Sequence, residues 1–158
     1  MSAQAFADAV AMLIMGDAAF LADMAAILGT APSIVLRGNA PVAQIPVGQF
    51  PCWVLEQGEG TAASLSNDGG AFLTIGGAEQ QFESDISLAL VWKEQDREAA
   101  AQQREKLPAA LARLMLRNPQ PGGIACAWLQ DWSPDRGVNH PTQIWVATLR
   151  GQYAITAA

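Results

Sequence analysis

The chain has one histidine, two cysteines and one tyrosine in 158 residues, and it carries no lysine or arginine between Gly38 and Trp92. Each shortage excludes something. A single His140 and the well-separated Cys52 and Cys126 cannot supply the four ligands of a structural metal site. The acids form no Asp-x-Asp-x-Asp-Gly calcium loop. Two cysteines are too few for a disulfide framework. Both lie in apolar, strand-like surroundings and are expected as reduced core residues, with a bridge or a reactive thiol as the alternative. The first basic residue is Arg37, so the apolar N-terminus "MSAQAFADAVAMLIMGDAAFLADMAAILG" lacks the positive start of a secretory signal. Asp8, Asp17 and Asp23 interrupt it, which fits a membrane span badly. A net charge of −6 and a pI near 4.6 oppose direct affinity for nucleic acid phosphates or anionic lipid.

What is present is a chain that is 51% hydrophobic, much of it alanine, and long enough for one domain with its own core. The expected domain spans residues 1–158: a helical segment over 1–29, a Pro/Gly-rich extended loop over 30–51, and a sheet with a long helix over 52–158. Phe6, Val10, Leu13 and Ile14, then Leu21, Met24 and Leu28, recur at helical spacing. "GD" at 16–17 is placed to split that helix, Gly16 ending one part and Asp17 capping the next, and Gly29 stops it. The loop contains four prolines and at most a short strand at Ile34–Arg37, yet it is apolar enough to lie against something. Thr61–Gly77, with "NDGG" and "IGG", reads as a hairpin arm or a long loop.

"FESDISLALVWKEQDREAAAQQREKL" then joins an alternating strand to a charged helix without a loop. Phe82, Ser84, Ile86, Leu88, Leu90 and Trp92 fall on one face; Glu83, Asp85, Ser87, Ala89 and Val91 fall on the other. The second face starts acidic and ends apolar, so the strand is expected to leave the sheet at one end and to be buried on both faces at the other. The helix, from about Gln95 to Arg117, has a stripe of Ala100, Leu107, Leu111, Leu114 and Met115, with a kink or restart expected at Pro108. Strands over 52–57, 82–93, 124–132 and 143–155 complete an α+β fold: a mainly antiparallel sheet of about four strands with helices packed on one face.

No residue set reads as catalytic. Asp135, Arg136, Asn139 and His140 could be a general base and its orienting acid beside a cysteine nucleophile, but they are also the ordinary turn formers of "DRGVNHP". The glycine pairs start no helix ending in Lys-Ser or Lys-Thr, so they are turns and not phosphate cradles. Trp92 and Trp145 alternate within strands as core residues. Trp53, Trp128 and Trp132 suit the core or a subunit interface better than a ligand platform. No catalytic, cofactor-binding or metal residue is assigned. The chemistry left is asymmetry of charge: Glu56, Glu59, Asp68, Glu79, Glu83 and Asp85 occupy a stretch without bases, while six bases face four acids from Lys93 to Arg117. The six acids are the candidate channel or partner surface of a protein that binds other proteins.

The order of these parts is a family pattern. A helix, an apolar extended loop, "IPVGQFPCWVLEQGE", a hairpin, "FESDISLALVW", a charged helix, a short strand and "QIWVATLRGQYAI" resemble the tail terminator (tail completion) proteins of tailed bacteriophages. The resemblance covers roughly residues 3–156 and rests on element order and apolar spacing. It implies an α+β subunit of a homo-oligomeric, hexameric ring in the virion, at the head-proximal end of the tail, assembled in the host cytoplasm. Such a ring caps the tail tube protein, ends tube polymerisation and presents a docking surface to the head-completion or neck protein. It has no enzymatic activity or cofactor and does not engage a membrane, and DNA passes through it without specific binding. Other neck or connector ring components, or a monomeric ligand-binding domain, are the alternatives.

Overall fold

The computed structural model describes residues 3–38, 42–62, 72–74, 77–123, 126–134 and 140–156. Its centre is the strand-to-helix junction. Strand β4 (Gly77–Lys93) leads through Glu94 and Gln95 into helix α3 (Arg97–Arg117), which Asp96 caps by accepting the Glu98 and Ala99 amides at 2.8 and 3.3 Å. The junction is locked from both sides. Trp92 Nε1 donates to Gln103 Oε1 at 2.7 Å, and Gln103 Nε2 donates to Glu94 Oε2 at 3.1 Å. Pro108 lies inside α3, which continues through it as one helix rather than restarting.

Six strands form the sheet, in the order β1 (Val35–Arg37), β2 (Cys52–Ala62), β4, β6 (Thr142–Thr156), β5 (Cys126–Pro134); β3 (Phe72–Thr74) pairs with β4 off that path. Every pairing is antiparallel except β1 with β2. The strand starts five residues earlier than the expected Phe82, at Gly77, and instead of leaving the sheet at its acidic end it stays paired with β6 from Glu79 through Lys93, while β2 runs five residues past the expected Gln57. "GAEQQ" and "GEGTA" are too polar for apolar alternation to register, and it is pairing with a neighbour that keeps them extended.

One face of the sheet takes all three long helices. Helix α1 (Ala3–Gly16) and helix α2 (Ala18–Leu28) break at the expected place, with a bend of 66°. Asp17 caps α2 by accepting the Phe20 amide at 2.8 Å, and Gly29 closes it with φ 82°, a left-handed conformation that favours glycine. Asp17 also accepts Arg117 Nη2 at 2.9 Å and Asn118 Nδ2 at 3.2 Å, tying the start of α2 to the end of α3. The Phe20 amide and then the Arg117 guanidinium hold its carboxyl below the usual carboxylate range. Phe6, Val10 and Ile14 of α1, Phe20 and Met24 of α2, and Leu107, Leu111 and Leu114 of α3 are buried against Trp53, Ile86, Leu88, Leu90 and Trp145. No single described helix is long and apolar enough to cross a membrane, and the apolar sides of α1 and α2 are spent in this core. The Phe6 ring lies so close to Gly151 that a Cβ there would stand 2.7 Å from Phe6 Cε1.

Among the described residues the other face is covered at one end. There Ile45, from the proline-rich loop, joins Cys52, Val54 and Val91 in a second buried cluster, with Ile34, Leu36, Phe50 and Ala89 packed against it. This is the two-sided burial expected for the apolar end of β4, and the loop is what lies on it.

Candidate interaction surface

The uncovered half of that second face begins where the acids of β4 begin. Register places Glu83 opposite Gln152 and Asp85 opposite Arg150, so these four side chains share the face. Arg150 grips Asp85 in a fork, Nε to Oδ1 at 2.7 Å and Nη2 to Oδ2 at 2.8 Å, and its Nη1 lies 3.7 Å from Glu83 Oε2. Gln152 Nε2 donates to Glu83 Oε1 at 2.6 Å. The Asp85 hydrogen bond, ahead of its charge and those of Glu83 and Asp131, pushes the Arg150 guanidinium above its already high value, so it is a permanent cation. Half-buried Trp128 on β5 is in register with Arg150, and exposed Cys126 with Gln152.

Of the six acids singled out in the sequence, the structure brings Glu83 and Asp85 together. Glu56 is exposed on β2 in register with Ser87, on the same face. Glu59 and Glu79 lie on β2 and β4, where the described structure is that of the backbone, and Asp68 lies outside the described residues. Sequence reading missed Arg150. Two acids with one cation make a patch of one net negative charge, not two, and the forked pairing orders it. The missing signal was the alternation of "QIWVATLRGQYAI", which puts Arg150 on the face opposite to Trp145, Ala147 and Leu149; only the β4–β6 register tells which acid it meets.

The remaining candidates separate cleanly. Cys52 is fully buried and burial pushes its thiol up, the reverse of what a nucleophile needs. Cys126, expected in the core, is exposed because β5 is an edge strand and Cys126 opens it. His140 Nε2 lies 3.0 Å from the Gln95 carbonyl, a bond that fastens the turn before β6 to the junction; Asp135, Arg136 and Asn139 lie outside the described residues. Among the described residues no group of three His, Cys, Asp or Glu could hold a metal ion. Trp53, Trp92 and Trp145 are core residues, whereas Trp132 is 52% exposed.

The chain matches no protein-family model and no curated protein. Among solved structures, a chain of the virion of a native gene transfer agent (GTA) particle is similar over 94% of both chains, with 14% identity and a TM-score of 0.49.

Proposed function

We propose that this protein is a structural subunit of a phage-like virion, a tail terminator that assembles as a ring on the end of the tail tube. The ring covers the surface on which the next tube ring would add and offers a different one to the neck, so it acts by occlusion and carries out no reaction. The observation that carries this reading is the half-dressed sheet. Among the described side chains, those buried on the helix face of β4 run from Ser84 to Trp92, and the strand extends back to Gly77 with β3 and the end of β6 paired beside it. The opposite face carries an ordered polar patch around Arg150 that no described element covers. A sheet packed on one side with a polar patch on the other suits a subunit completed by its neighbours. The order of elements that resembles the tail terminators supports the same reading.

In that ring the acids, Glu83 and Asp85 foremost, face the DNA path. Six subunits at −6 each carry −36, a field screened beyond about 8 Å at physiological salt. A wall of that sign lets DNA slide, where a basic wall would hold it by its phosphates. Loss of the protein tests the role: tails of uncontrolled length that fail to join heads are expected. Normal-length, head-joined tails in its absence overturn it.

A further inference from the structure

A groove of about 510 Å³ opens between α3 and the edge strand β5, lined by Ala101, Arg104, Pro108, Ala109, Trp132 and Trp145 together with Glu105. Three features of its walls are incomplete among the described residues. Trp145 is fully buried, yet its indole Nε1 has no hydrogen-bond partner. Pro108 has no N–H, so the Arg104 carbonyl one turn earlier loses its intrahelical donor. Among the described residues β5 ends the sheet order, and apart from the Ala127 amide, which donates to the Pro119 carbonyl at 2.9 Å, its outer edge of backbone N–H and C=O groups has no neighbouring strand. A missing acceptor, a missing donor and an open strand edge beside a half-exposed tryptophan describe one kind of ligand. An extended polypeptide supplies a carbonyl, an amide and a ladder at once, and its apolar side chains fill the space against Trp132 and Pro108.

We propose that this groove receives the β3 segment (Phe72–Thr74) of a second copy of this chain. The proposal rests on the ring reading and says how its subunits join. The segment has the right character. From Gly69 to Ala78 the sequence "GGAFLTIGGA" carries no charge, so it loses no ionic hydration on entering a groove. Among the described residues β3 pairs with β4 alone, and at Glu79 it lies on the opposite side of β4 from β6. Position is the stronger argument. Trp145 and Thr156 are eleven residues apart along β6, on the order of 36 Å, and β3 sits at the Thr156 end while the groove sits at the Trp145 end. A subunit cannot fill its own groove with its own β3. Donor and acceptor at opposite ends of one sheet give a heterologous, head-to-tail contact, the type that closes into rings.

The test uses the full-length protein with Cys126→Ser, which removes the exposed thiol and leaves only buried Cys52. Leu73→Cys is placed on the segment and Ala109→Cys on the exposed groove wall. Treated with a short bismaleimide, the double variant is expected to give a ladder of covalent multimers. An equimolar mixture of the two single variants gives dimers only, and either single variant alone gives none. Trp132→Ala is expected to raise the concentration needed for assembly about tenfold or more, as loss of a central aromatic anchor does. Multimers by sizing with no ladder, and with Trp132→Ala assembling like the parent, overturn the groove and leave the ring standing. A monomer at every concentration overturns both. A cross-link confined to a monomer overturns the groove by showing that β3 reaches it within one chain.

Discussion

Replacing Asp17 by alanine should cost more than any other single surface change, because three attachments end on one carboxylate. The Phe20 amide bond is an N-cap, worth about 1 kcal/mol. The Arg117 pair is partly exposed, with side chains 37% and 17% accessible, so screening holds it to about 0.5 kcal/mol. Asn118 Nδ2 keeps its bond to the Leu114 carbonyl and adds little to the loss. The sum, about 1.5 kcal/mol, lowers the melting temperature of a chain this size by about 3–6 °C. Asp17→Asn isolates the parts. Asparagine still caps but carries no charge, so it should lose about 0.5 kcal/mol, or 1–2 °C. The pH dependence has a definite sign. A carboxyl whose folded pKa is depressed contributes fully above its unfolded value near 3.9, and the contribution fades as pH falls through the lower folded value. The gap between wild type and Asp17→Ala is therefore full at pH 5–7 and narrows below about pH 4. Thermal melts at fixed protein concentration decide it. Asp17→Asn falling as far as Asp17→Ala, or a gap that widens in acid, refutes the reasoning.

Gly151→Ala forces a Cβ to within 2.7 Å of the buried Phe6 ring and should destabilise by about 1–3 kcal/mol in denaturant titration. Phe6→Leu in the same chain should recover part of the loss, and strict additivity would show that the two do not clash. Replacing both Glu83 and Asp85 by lysine sets two new cations beside Arg150 and should slow DNA release from particles, more at low salt than at high salt. Release unchanged at every salt concentration, with assembly intact, places these carboxylates away from the DNA path. In the native protein a maleimide should label Cys126 within minutes and Cys52 only on unfolding, and equal rates would contradict the burial of Cys52.

The legible parts of the fold were those written in adjacent residues. Phe82 to Trp92 alternate, and "GD" breaks an apolar helix with Asp17 capping its second part; each is settled within a few positions, and the structure has both, whereas the Asp96 cap, one residue past the expected helix start at Gln95, was not read. The proline-rich loop was readable as a cover because Ile45 and its neighbours are too apolar to face water, although not which face it covers. Whatever depends on which strand lies beside which was not legible. Arg150 meets Asp85 across 65 residues of sequence, and no local pattern announces that. Cys126 and Trp132 alternate like core residues, but their strand has a neighbour on one side only, so half the expected cover is missing. β3 is three residues long and uncharged, too short for any period to show.

Strand β4 passes through changing surroundings in its 17 residues: it is packed on both faces at Val91 and on one face at Ile86, and at Phe82 its ring stacks on Tyr153 with centroids 5.8 Å apart. Such a strand has no single opening free energy. Its amides should exchange with solvent along a gradient, slowest near Val91, where both faces are packed, and faster toward Phe82, where opening exposes less apolar surface. A neighbour that docks there adds protection where the isolated subunit has least. In the ring proposed above, closure is also the last step of folding for this strand, and a gradient flattened on assembly is its readout.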